Sequence, residues 1–131
     1  MFIFRTTVHF FDADAAGVLF YGKAFELCHA AFEAFIASKK KYQEYFTSGK
    51  FAFPIVHAEA SFFTPLFPGE EIIIETEVSE IKDSSFSLCF RIKNQKEVIA
   101  EEIKTVSVSI GKDKWQKIAL PPFVIDLLKE L

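Results

Sequence analysis

Polar and apolar residues alternate most regularly between Glu71 and Lys93. Ile72, Ile74, Thr76 and Val78 fall on one face of a strand, with Glu71, Glu75 and Glu77 among those on the other. Phe86, Leu88, Phe90 and Ile92 repeat the pattern over residues 85–93. Lys82, Asp83 and Ser84 between them have the character of a hairpin connection. Asn94 to Lys96 turns the chain into a long strand, 97–110, whose apolar positions are Val98, Ala100, Val106, Val108 and Ile110. Upstream, PIVHAEASFFT (54–64) is a β-prone run that ends where Pro65, Pro68 and Gly69 break it. Residues 2–9 read as a first strand.

Between the first strand and this β-rich part the period changes. From about Val18 to Ser38 the chain is rich in alanine, free of proline, and apolar around much of its helical circumference, the pattern of a buried helix. Lys39, Lys40 and Lys41 follow at its C-terminal end, where positive charge complements the helix dipole. A short amphipathic turn spans 42–48. At the other end of the chain, Pro121 and Pro122 open a C-terminal helix, FVIDLLKEL.

The expected fold is therefore α+β: one curved antiparallel five-stranded sheet wrapped around one long central helix. Short loops favour a meander in which each strand after the first pairs with its neighbour. One helix cannot cover the whole sheet, and an edge strand stays open, so dimerisation through that edge is expected.

A chain of 131 residues fits a single domain, 1–131. Its net charge of −3 argues against a general nucleic-acid partner. No run of about 18 apolar residues suggests a membrane span, and MFIFRTTVHFFD lacks the features of a signal peptide. Cys28 and Cys89 are too few for a disulfide scaffold and read as reduced thiols of a cytoplasmic protein. The 17 phenylalanines point to a dense core, an apolar pocket, or surface hidden in an oligomer.

Candidate chemistry concentrates in FDADAAG, 11–17, just ahead of the long helix. Asp12 and Asp14 stand beside helix N–H groups that have no internal acceptor and can hold an oxyanion. Gly17 permits a sharp turn or close approach. A carboxylate so placed can attack a carbonyl or activate water; equally, the two aspartates can cap the helix. Two carboxylates are too few ligands to support a metal. His57 and Glu59 share a strand face, as a pocket pair or as a half-buried polar pair without a role. No HExxH or CxxC motif accompanies them. Cys28 and His29 diverge by about 100° on the helix, so a nucleophile–base pair is disfavoured and Cys28 reads as a core residue.

The stretch HFFDADAAGVLFYGKAFELCHAAFEAFIAS resembles the opening of hotdog-fold acyl-CoA thioesterases of the 4-hydroxybenzoyl-CoA thioesterase family. Their Asp-x-Asp-x-x-Gly-(Val/Ile) motif reads here Asp12-Ala13-Asp14-Ala15-Ala16-Gly17-Val18. FAFPIVHAEASFFTPLFPGEEIIIETEV resembles the second and third strands of that family. Within it, LCHAAFEAFIAS and FAFPIVHAEASFF are most similar to the 1,4-dihydroxy-2-naphthoyl-CoA thioesterases of phylloquinone and menaquinone synthesis.

The resemblance implies hydrolysis of an aromatic acyl-CoA to free acid and CoA, with no metal and no dissociable cofactor. It implies that Asp14 is the catalytic carboxylate, as nucleophile or general base. It implies that the backbone N–H of Tyr21 binds the oxyanion and that Gly17 lets the acyl group approach. His57, Phe62 and Phe63 are expected to contact substrate, and Lys82 to keep part of a charge cluster that holds the nucleotide phosphates. The active site is expected between the subunits of a homodimer or homotetramer. Lys23-Ala24-Phe25 replaces the family's Asn-containing run after the oxyanion position. The alternatives are a thioesterase of broad short-chain or benzoyl-type specificity, and a non-catalytic hotdog module that binds acyl carriers.

Overall fold

The computed structural model describes all 131 residues. Five strands form the main sheet: β1 (Phe2–Thr7), β3 (Ile55–Phe62), β4 (Glu71–Ile81), β5 (Ser85–Lys93) and β6 (Ile99–Val108). All pairings are antiparallel, in the order β1-β4-β5-β6-β3. Three two-residue strands, β2 (Phe51–Ala52), β7 (Ile110–Gly111) and β8 (Gln116–Lys117), make a small second sheet that the sequence pattern did not signal. The helices are α1 (Tyr21–Ser38), α2 (Tyr42–Phe46) and α3 (Pro122–Leu128). No helix is long and apolar enough to cross a membrane.

The expected meander holds for β4, β5 and β6 only. β3 does not pair with β4; it lies at the far edge beside β6, and β1 takes the place next to β4. The segment joining β3 to β4 carries Pro65 and Pro68, which have no N–H to donate, and it crosses beneath the start of α1 instead of turning back on itself. Along that path Phe63 and Thr64 donate to the Ala100 carbonyl, Leu19 donates to Leu66, and Gly69 donates to Val8.

α1 lies against the concave face of the sheet. Ala24, Cys28, Ala31, Phe32, Phe35 and Ile36 form its buried stripe, narrower than the all-round burial its composition suggests. They meet Ile72, Ile74, Phe86, Leu88, Phe90, Ile92 and Ile103 in one core. Each fully buried Phe, Ile or Leu contributes about 1.5–3 kcal/mol. The outer face of the sheet carries ion pairs: Glu77 with Arg91, Glu75 with Lys93, and Arg91 with Glu102. Ion pairs this exposed are worth about 0–1 kcal/mol each, so they mark a solvated face more than they stabilise it.

β6 departs from its sequence pattern in a way that matters for the site. Ile92 pairs with Glu101 and Lys93 with Ile99, so Ala100 is an extra residue, a β-bulge. An extra residue inverts the alternation beyond it. Glu101, Ile103, Thr105 and Ser107 therefore face α1, paired with Ile92, Phe90, Leu88 and Phe86. Val106 and Val108, which share the parity of Ala100, lie on the outer face.

Candidate functional site

Residues 9–20 fold as two nested turns. Asp12 is buried, and its Oδ2 accepts the His9 N–H at 3.0 Å, closing a short 3-10 turn over Phe10–Asp12. The Phe20 N–H then donates to the Asp12 carbonyl and Asp14 N–H to the Val18 carbonyl, both at 2.9 Å. This draws 12–20 into a tight hairpin. Asp14 shapes its tip: its carbonyl accepts the Gly17 N–H at 3.0 Å, and its Oδ1 accepts the Ala16 N–H at 2.8 Å. Gly17 sits at φ +80°, where a side chain strains the backbone.

Neither aspartate caps α1. The residue at that position is Phe20, which makes no side-chain cap, and the N–H groups of Tyr21 and Gly22 find no acceptor within the chain. Asp14 Oδ2 is likewise without a partner, and Asp14 is exposed. A carboxylate oxygen and two helix-terminal donors thus stand free at the same corner of the fold.

Asp14 and Tyr21 line one cleft of about 350 Å³, together with Val18, Leu19, Phe62, Phe63, Thr64, Pro65, Leu66 and Glu101. Four of the seven residues expected to form the site are therefore gathered: Asp14, Tyr21, Phe62 and Phe63. Gly17 shapes the adjacent turn without lining the cleft. His57 pairs with Val106 on the outer face of β3, across the sheet from Phe62, and lies outside the cleft. The reason is the parity of β3: Ala58, Ala60 and Phe62 pair with the inward Thr105, Ile103 and Glu101, which sends His57 and Glu59 the other way. Lys82 sits in the β4–β5 hairpin with its Nζ 3.8 Å from Glu80, also outside the cleft.

Sequence reasoning missed Glu101. It is 4% exposed, its Oε2 has no hydrogen-bond partner, and burial pushes its pKa up to about 7. A partial signal was present: the apolar positions change parity from Val98 and Ala100 to Ile103, as one bulge requires, but Val106 and Val108 on the outer face mask it. Burial also pushes the Cys28 thiol above its usual range, which suits a core residue and not a nucleophile.

A larger cavity of about 650 Å³ lies between α1, α2 and the β3–β6 edge. Phe25, Phe32, Tyr45, Phe46, Phe53 and Phe90 are among its walls. It contains neither Asp14 nor the start of α1, so it has apolar volume without the reactive groups.

The model of the Thioesterase-like superfamily matches residues 8–128. The chain belongs to the Thioesterase-like superfamily. Its relatives in that superfamily include the 1,4-dihydroxy-2-naphthoyl-CoA hydrolase of Nostoc punctiforme, 33% identical over 98% of this chain and 86% of the relative. Among solved structures, a 1,4-dihydroxy-2-naphthoyl-CoA thioesterase from Synechocystis superposes with TM-score 0.91 at 25% identity, covering 99% of this chain and 96% of that one. A gentisyl-coenzyme A thioesterase superposes with TM-score 0.84, also at 25% identity, over 96% and 98% of the two chains. These thioesterase superfamily neighbours share the hotdog arrangement, a curved antiparallel sheet around one long helix.

Proposed function

We propose that this protein is an acyl-CoA thioesterase that hydrolyses an aromatic acyl-CoA, 1,4-dihydroxy-2-naphthoyl-CoA, to the free acid and CoA. One observation carries the reading: the free Asp14 carboxylate oxygen and Tyr21, whose N–H at the start of α1 is unpaired, share a cleft walled by aromatic and aliphatic side chains. The names of the relatives in Nostoc and Synechocystis support the acyl group.

The chemistry follows from the parts. The thioester carbonyl oxygen accepts the N–H groups at the start of α1, where the helix dipole favours the negative charge that develops on attack. Asp14 either adds to the carbonyl carbon, giving a mixed anhydride that water then opens, or takes a proton from the water that attacks. In both routes the C–S bond breaks, CoA leaves as thiolate and is protonated by solvent, and the acid leaves as carboxylate. Phe62 and Phe63 offer flat apolar surface to the aromatic acyl group.

A second copy of the chain completes the assembly in this reading. β3 has only β6 beside it and presents Ile55, Val56 and Phe62 to solvent, each about half exposed, next to exposed Phe63 in the cleft wall. Pairing across that edge covers them and brings partner residues to the cleft.

The test is thiol release from 1,4-dihydroxy-2-naphthoyl-CoA, benzoyl-CoA and short-chain acyl-CoAs. Preference for the dihydroxynaphthoyl thioester supports the assignment. Hydrolysis of short-chain substrates alone, or CoA binding without hydrolysis, overturns it. Turnover in ¹⁸O-labelled water separates the two routes, because only the anhydride route leaves label in Asp14.

A further inference from the structure

Glu101 is placed where β6 without its bulge would put it on the solvated face. The extra residue at Ala100 turns its side chain inward, onto the wall of the cleft that holds Asp14. Its Oε2 is sealed from solvent and has no partner in the chain. Val18, Leu19, Phe62, Phe63, Pro65 and Leu66 in the same cleft are apolar, and neither Thr64 nor Tyr21, the polar residues beside them, hydrogen-bonds it. A buried carboxyl without a partner is costly, and a bulge that aims one into a ligand cleft implies that the ligand supplies the missing partner.

We propose that Glu101 is a specificity-determining residue: its carboxyl hydrogen-bonds a hydroxyl on the aromatic ring of the acyl group held in front of Asp14. The proposal rests on the thioesterase reading above and adds the residue that selects the acyl group. Burial keeps a large fraction of Glu101 protonated near neutral pH. The neutral acid both donates and accepts, so it fits a ring hydroxyl. It also avoids placing a second full negative charge in the cleft with Asp14. A site built around such a buried polar group rejects the analogue that lacks the hydroxyl, because the group is then left unpaired.

The experiment compares kcat/KM for 1-hydroxy-2-naphthoyl-CoA and 2-naphthoyl-CoA on the wild-type protein, Glu101→Gln and Glu101→Leu. The wild type is expected to favour the hydroxylated thioester by at least ~10-fold. Glu101→Gln, which still donates and accepts, is expected to keep most of that ratio. Glu101→Leu is expected to bring it to within about twofold of one, because an apolar group cannot tell the two rings apart. Glu101→Met reads the same ratio if the leucine variant does not fold. An unchanged ratio in the leucine or methionine variant overturns the proposal while leaving the thioesterase reading intact, as does a wild type with no preference. Failure of the wild type to hydrolyse either thioester overturns both.

Discussion

Asp14 and Glu101 line the same cleft in opposite states: Asp14 is exposed with Oδ2 free, and Glu101 is 4% exposed with Oε2 orphaned. They arrive from distant parts of the chain, one on a hairpin tip before α1 and the other on the bulge of β6. The first carboxyl is open to solvent, and burial favours the proton on the second. Two carboxyls held apart in this way can take different roles in one site.

Replacing Asp14 by asparagine keeps an oxygen for the Ala16 N–H, so the turn survives. It removes the anionic oxygen. Turnover of the acyl-CoA is expected to fall by at least ~10² with little change in melting temperature. Steady-state kinetics beside a thermal melt checks both halves, and a near-normal kcat would remove Asp14 from the mechanism.

Glu101 makes stability depend on pH. Its pKa is raised from 4.5 to about 7 in the folded chain. Below pH 4.5 it is protonated whether folded or not, and the stability of its neutral form is fully present. As pH rises towards 7 the unfolded chain releases the proton first, so folding loses stability, by up to about 3 kcal/mol. Glu101→Gln has no such proton. The difference in unfolding free energy, variant minus wild type, is expected to grow between pH 4.5 and 7 and level off above, as urea melts at stepped pH would show.

Gly17 occupies a left-handed backbone conformation at φ +80° with open space where a Cβ would sit. Strain and not collision is therefore the cost of a side chain. Gly17→Ala is expected to destabilise the chain by about 1 kcal/mol and to lower kcat by shifting Asp14, read by a melt and the thiol-release assay together.

Thr76 is fully buried in β4 on the face toward α1, and its hydroxyl has no partner. Valine has the same shape without the unmet hydrogen bond. Thr76→Val is expected to leave stability unchanged or raise it by about 1 kcal/mol, which denaturant unfolding measures directly. A loss of more than that would reveal a partner for the hydroxyl.

For the edge of β3, sedimentation velocity is expected to give a dimer or larger species. Val56 is 60% exposed in the single chain, so Val56→Asp should fold yet weaken association at least ~10-fold, since it puts a charge on the buried edge. A wild type that stays monomeric at high concentration would exclude pairing there.

Much of this molecule was legible in its amino-acid order because the relevant physics is local. Alternation in 71–93 was enough to assign the inward faces of β4 and β5, and alanine-rich, proline-free composition announced α1. The aspartates and Gly17 marked a turn whose hydrogen bonds close within nine residues. What lay beyond reach depended on pairing between distant segments. The placement of β3 beside β6, not β4, is decided by where the proline-containing crossover can run. The outward position of His57 and the inward position of Glu101 are decided by strand register, and one bulged residue inverts every side chain after it. Charge, period and turn chemistry are properties of neighbours in the chain, whereas a cleft is made of neighbours in space, and only the packed sheet and helix could bring a buried glutamic acid to the same corner as an exposed aspartate.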